Sequence, residues 1–223
     1  FLPDGTPLVV SQREFSVYAI GAHGRLLRHA DLRPFARGAA NDIVVDASGR
    51  AYVGHHGFDF QARAAPQPAS LLLVAADGLV REVADSLTFP NGLVLTPDGG
   101  TLLVAEGFAG RVTAFEVATD GSLGARRDWA PLWGHTPDGL CLDDAGAVWV
   151  GSPLTGAFLR VGEGGVVLDR IDTADGRWAV ACALGGDERR TLCCTTAATT
   201  LEGRPLGRST AYLEFAEVGA PAR

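Results

Sequence analysis

The chain has 223 residues, 47% hydrophobic and 20% charged, with a formal net charge of −7. This is ordinary globular composition, long enough to bury a core without staples, and it excludes disordered, collagen-like and coiled-coil chains. The acidic balance argues against a nucleic-acid partner, and apolar runs such as 71–76 are too short to cross a bilayer, so no membrane partner is expected.

Met is absent, and Phe1 leads straight into Pro3-Asp4-Gly5 turn chemistry with no signal peptide. The stretch Phe1 to Val10 matches only the second half of a unit that recurs further on, so the chain is expected to start downstream of the true N-terminus. The first full copy runs from Ala40 to Gly54: a polar residue, a short apolar strand, an Asp/Gly turn and a second apolar strand. Pro90 to Val104 repeats it, then Pro137 to Val150. A degenerate fourth copy, Ala181 to Cys194, carries Ala or Cys in the polar slot. Between copies come further strands, Arg111 to Val117, then Ala157 to Val161, then Val166 to Ile171, joined by Gly-rich turns. Gln61 to Ser70, with Pro66 and Pro68, is expected to be an inter-strand loop.

Asp-Gly turns between alternating apolar runs signal hairpins, and the 29 glycines and β-branched runs agree with an all-β chain without helix. Four short strands per repeat of about 45 residues is the arithmetic of a β-propeller, and the chain holds roughly 4.7 such repeats. A single propeller domain over 1–223 is therefore expected. A sandwich does not explain the fixed period.

The polar slot precedes the first strand of each repeat, the strand that lines a propeller's tunnel. Asn41, Asn91 and Asp138 are thereby expected to face one another. Two amide oxygens and a carboxylate form a hard, all-oxygen set suited to Ca²⁺ or Mg²⁺. Asn-Gly and Asp-Gly are also common turn dipeptides; their recurrence in phase favours a metal site, and Asn41 is followed by Asp42 rather than Gly.

These motifs, Asn41-Asp42, Pro90-Asn91-Gly92 with Pro97-Asp98-Gly99, and Pro137-Asp138-Gly139 with Trp149-Val150, closely resemble the SMP-30/gluconolactonase/LRE-like family over about residues 1–218. The resemblance implies a six-bladed propeller whose first blade or so is missing from this sequence. It also implies one divalent cation (Ca²⁺ first, with Mg²⁺, Mn²⁺ or Zn²⁺ as alternatives) and hydrolysis of a small-molecule lactone or ester. By that resemblance Asn91 and Asp138 match metal ligands, and Asp138 matches the general base. Asn41 matches a position that binds the metal or its waters and substrate. The remaining ligand, a first-blade Glu, has no counterpart here. Ala39 stands where sugar lactonases of the family often carry Arg, which counts against an aldonolactone preference.

The chemistry fits these parts. A divalent cation polarises a carbonyl and lowers the pKa of a bound water, a carboxylate takes the proton, and no Ser or Cys nucleophile is required. No Gly-x-Ser-x-Gly, His-Glu-x-x-His or Gly-x-Gly-x-x-Gly occurs. His55 ends the second strand of the first copy, with Glu106 and Ser152 in the equivalent places. His55 and Glu106 are carried forward as substrate-binding candidates. A phosphotriesterase-like hydrolase on the same site and a non-catalytic binding propeller are the alternatives. The four tryptophans are expected in blade packing. Cys141, Cys182, Cys193 and Cys194 form no Cys-x-x-Cys pair and read as small core residues of a reduced, cytoplasmic protein.

Overall fold

A computed structural model describes residues 1–174, 176–203 and 207–219. Eighteen strands form five sheets among these residues, each sheet built from strands consecutive in the chain. The first holds β1 (Leu8–Ser11), β2 (Ser16–Ile20) and β3 (Leu26–Asp31). The second holds β4 (Ala40–Val45), β5 (Ala51–His55), β6 (Ala69–Val74) and β7 (Val80–Leu87). The third holds β8 (Pro90–Leu95), β9 (Thr101–Glu106), β10 (Arg111–Val117) and β11 (Leu123–Pro131). The fourth holds β12 (Leu140–Leu142), β13 (Val148–Ser152), β14 (Ala157–Val161) and β15 (Val167–Asp172). The fifth holds β16 (Arg177–Gly185), β17 (Thr191–Ala198) and β18 (Thr210–Glu217). This serial, all-β repeat is the blade pattern of a β-propeller. Helix among the described residues is limited to 3₁₀ turns at Ala22–Gly24 and Pro153–Thr155.

The turns form where the repeat places Asp and Gly. After β4, the Asp46 carboxylate accepts the N–H groups of Ser48 (2.8 Å) and Arg50 (2.9 Å), while Gly49 takes φ +79°. After β12, Asp143 does the same for Ala145 and Ala147 (2.9 Å each), with Gly146 at φ +82°. Each Asp also meets an arginine, Asp46 with Arg50 at 2.7 Å and Asp143 with Arg160 at 2.6 Å. A left-handed glycine and an acceptor at the first turn residue thus fix where one strand stops and the next begins.

The chain clusters into two compact units, Phe1–Val104 with Ala114–Arg126, and Ala105–Thr113 with Arg127–Arg223. In the first unit, alternation along the second sheet divides its side chains between two cores. Ala51, Val53, Leu72 and Val74 pack with Val17, Ala30 and Leu32. Tyr52, Leu71 and Leu73 pack with Leu93, Leu102, Val104 and Phe115. The apolar run at 71–74 is therefore a strand buried on both faces. Each fully buried Leu or Val contributes about 1.5–3 kcal/mol. The loop from His56 to Pro68 joins β5 to β6 within this unit; it is shorter than the expected 61–70 stretch at its end, because Ala69 and Ser70 belong to β6. In the second unit Trp149 and Phe158 pack with Ala179, Cys182, Leu192, Cys194 and Val218.

Trp129 and Trp149 are buried as expected of blade packing, but Trp133 is 79% exposed. It sits in the turn 132–135, closed by the His135 N–H to Leu132 O bond of 3.0 Å, outside the strands.

Candidate functional site

Asn41 lies in an irregular step of β4. Ala40 pairs with His55 and Ile43 with Val53, so Asn41 and Asp42 together oppose Gly54. An extra residue of this kind is a β-bulge, which re-aims side chains and often adjoins active sites. The bulge sends Asn41 and Asp42 toward β8. The Asn41 Nδ2 amide donates to Asn91 Oδ1 and lies 3.5 Å from Pro90 O. Gln12 Nε2, which the sequence patterning did not single out, donates to Asn41 Oδ1 at 3.4 Å. Two of the three slot residues, 50 positions apart, therefore touch.

Asp42 acts as an anchor. Its Oδ2 accepts the Leu93 N–H (3.0 Å) and its Oδ1 accepts the Ile43 N–H (2.8 Å). Burial pushes its carboxyl above the usual carboxylate range, and the two N–H bonds act in the opposite direction. This is why Asp stands here where the other copies have Gly: the carboxylate ties the bulge of β4 to β8. In the sequence Asp42 differs from the Gly of the other copies, with no local sign of this role.

Asp138, the third slot residue, belongs to the second unit. Its N–H donates to Gly151 O (2.8 Å), and the Gly139 N–H donates to Val180 O (2.9 Å). Gly139 is not among the left-handed glycines. A Cβ there would come within 2.7 Å of the Ala181 Cα, so this glycine serves close backbone approach rather than a turn. Asn91 and Gly92 likewise lie inside β8. In both places the dipeptide belongs to the strand or its entry, and the turn follows four to seven residues later at Gly99 and Gly146.

His55, Glu106 and Ser152 end β5, β9 and β13, the equivalent positions expected from the repeat. Their exposures are 2%, 0% and 0%. His55 Nδ1 lies 3.3 Å from Arg37 O and 3.1 Å from the Gly57 N, and its Nε2 lies 3.0 Å from Ser70 Oγ and 3.2 Å from the Ser70 N. Burial lowers the tendency of its ring to take up a proton. Glu106 Oε1 accepts from Arg111 Nε (2.9 Å) and from the Thr113 hydroxyl. Ser152 Oγ accepts the Thr136 N–H (3.1 Å), two residues before Asp138. Each of the three thus holds neighbouring chain of its own unit.

Beside Asn91, Phe89 takes φ +58° and stacks on His56, with centroids 4.3 Å apart and planes at 12°. Phe60 meets both edge-on. This aromatic group comes from the loop after β5 and the residue before Pro90. No period in the sequence indicates it. Among the described residues no three His, Cys, Asp or Glu side chains cluster as a metal site; the slot set contains only one residue of those types.

Residues 1–198 match the model of the SMP-30/Gluconolactonase/LRE-like region. Over 185 residues the chain is 30% identical to a 6-deoxy-6-sulfogluconolactonase of Pseudomonas putida, covering 81% of this chain and 62% of that protein. It is 28% identical over 199 residues to the pentonolactonase XacC of Haloferax volcanii, covering 85% and 66%. The chain thus spans about two thirds of the length of these relatives. A solved calcium-binding regucalcin from Agrobacterium tumefaciens superposes with a TM-score of 0.79 at 20% identity, covering 99% of this chain and 75% of that one. At that identity the likeness concerns the fold.

Proposed function

The chain belongs to the SMP-30/gluconolactonase/LRE-like family, and from that premise we propose that it is a lactonase dependent on one divalent cation. The observation that carries the reading is the meeting of Asn41 and Asn91, side chains from matching slots of two successive sheets. The relatives of the chain, a sulfogluconolactonase and a pentonolactonase, support the substrate class: a small lactone.

The residues fit a hard cation. Asn41 and Asn91 bring two amide groups to one place, half-buried and able to turn their oxygens toward it. By its slot in the repeat, Asp138 is the candidate carboxylate of the set. An all-oxygen set with one charge suits Ca²⁺, with Mg²⁺, Mn²⁺ or Zn²⁺ as alternatives. When bound, such a cation supplies Lewis-acid polarisation of the lactone carbonyl and charge compensation for the oxyanion. Asp138 takes the proton from the attacking water and returns it to the departing ring oxygen, leaving a hydroxy acid. Asn41 positions the substrate oxygens. His55 and Glu106, at equivalent strand ends of the repeat, are the substrate-binding candidates.

The test is pH-stat titration of acid release from simple γ- and δ-lactones and gluconolactone, with added Ca²⁺ and after chelation. Turnover that disappears on chelation, and in Asp138→Asn and Asn91→Ala chains of unchanged circular dichroism, is the expected result. Turnover untouched by all three would defeat the mechanism. Turnover of a phosphotriester alone would favour the phosphotriesterase alternative, and no turnover with the cation present would leave a binding propeller.

A further inference from the structure

Cys141 lies in β12 and Cys182 in β16, strands of two different sheets in the second unit. Their Sγ atoms are 3.6 Å apart. The backbones around them are locked together. The Gly139 N–H bonds Val180 O at 2.9 Å, and a Cβ on Gly139 would come within 2.7 Å of the Ala181 Cα. The sulfur approach is therefore fixed by the strands and does not depend on one mobile side chain. Cys182 is buried, with its sulfur also against Trp149 O (3.5 Å), while Cys141 is half-buried. Cys194 stands directly opposite Cys182 across β16–β17, and the contact its sulfur makes is with Leu192 O at 3.9 Å.

We propose that Cys141 and Cys182 form an oxidisable pair: a site at which a hydroperoxide converts two thiols into a disulfide joining β12 to β16. A disulfide needs about 2.05 Å between sulfurs, so the gap must close by about 1.5 Å. Hydrogen peroxide first transfers an oxygen to the less buried Cys141 sulfur, giving its sulfenic acid and one water. The Cys182 sulfur then attacks the Cys141 sulfur. The S–O bond breaks, and the departing hydroxide takes the Cys182 proton as a second water. Two electrons pass from the thiol pair to the peroxide. The hydrogen bond with Cys141, and then burial, raise the Cys182 thiol well above its ordinary range, so the step is slow. The same burial shelters the product from reductants. The bond constrains the strand that begins two residues after Asp138.

The test uses the whole chain, fully reduced, then incubated with hydrogen peroxide. Titration under denaturing conditions should find two of the four thiols lost, and non-reducing peptide mapping should join Cys141 to Cys182. The thermal midpoint should rise by several degrees and return on adding dithiothreitol. Cys141→Ser should keep all three of its remaining thiols and show no rise. Because its position is half-buried, this variant carries the test even where Cys182→Ala fails to fold. Four surviving thiols, a bond mapped to Cys182–Cys194 or between chains, or Cys141 recovered only as sulfinic or sulfonic acid would each overturn the proposal.

Discussion

Asn41 and Asn91 carry neutral amides and Asp138 a carboxylate, so their substitutions separate binding from proton transfer. Asn91→Ala removes the acceptor for Asn41 Nδ2, a half-buried bond worth about 1 kcal/mol. The fold should survive, while calorimetric Ca²⁺ affinity and lactone turnover fall together by at least about tenfold, since one ligand of a weakly charged site is gone. Asp138→Asn keeps an oxygen donor but cannot take a proton. It should lower kcat by about 10²–10⁴-fold and change ion affinity less. An unchanged kcat would remove Asp138 from the role of base. His55 sets a pH dependence of stability. Burial depresses its folded pKa below the ordinary 6.5, and His135 is shifted the same way by burial. A proton therefore binds the unfolded chain more readily, so stability is fully present above about pH 6.5 and is lost as pH falls through that value toward the folded pKa. Thermal midpoints measured from pH 8 to pH 6 should decline, and His55→Gln should be less stable throughout but flatter over that range.

Strand entries carry the next layer of information. Gly139 lets β12 run against β16, so Gly139→Ala should force the strands apart and lower stability by about 2–4 kcal/mol, read as a drop in denaturant midpoint at constant slope. Gly99→Ala, where nothing lies within 4 Å, meets only the φ +69° penalty and should cost about 1 kcal/mol. Similar losses for both would refute the close-approach reading of Gly139. The hairpins were legible because Asp46 and Asp143 satisfy turn N–H groups and Gly49 and Gly146 take left-handed φ, and both requirements are local. The expected strands Arg111 to Val117 and Ala157 to Val161 coincide with β10 and β14. The bulge at Asn41–Asp42 was not legible, because it depends on a partner across the strand and on Leu93 in another sheet. The same holds for the Phe89–His56 stack and the Cys141–Cys182 approach: each joins residues with no common period.

At the scale of the molecule, the repeat alone specified serial sheets, since a fixed period with four apolar strands leaves little else that buries both faces of runs such as Leu71–Val74. What period cannot report is how the outermost strands meet water. β18 is last in its sheet and pairs with β17. One face is covered where Arg177 stacks on Tyr212 at 3.7 Å and pairs with Glu214 at 2.9 Å. The other presents Leu213 and Phe215, 58% and 65% exposed. A strand edge beside exposed apolar side chains is a template for pairing with a second copy, opposed here by the net charge of −7. Salt weakens that repulsion over a Debye length of about 8 Å at physiological ionic strength and leaves the apolar attraction intact. Sedimentation velocity should therefore show a mass above 23.2 kDa that grows with protein and salt concentration. Leu213→Lys with Phe215→Lys should hold the chain at that mass without altering its thermal midpoint, because neither side chain is buried. A wild-type mass constant across the salt range, or association equal in both chains, would show that β18 is not the surface through which copies meet.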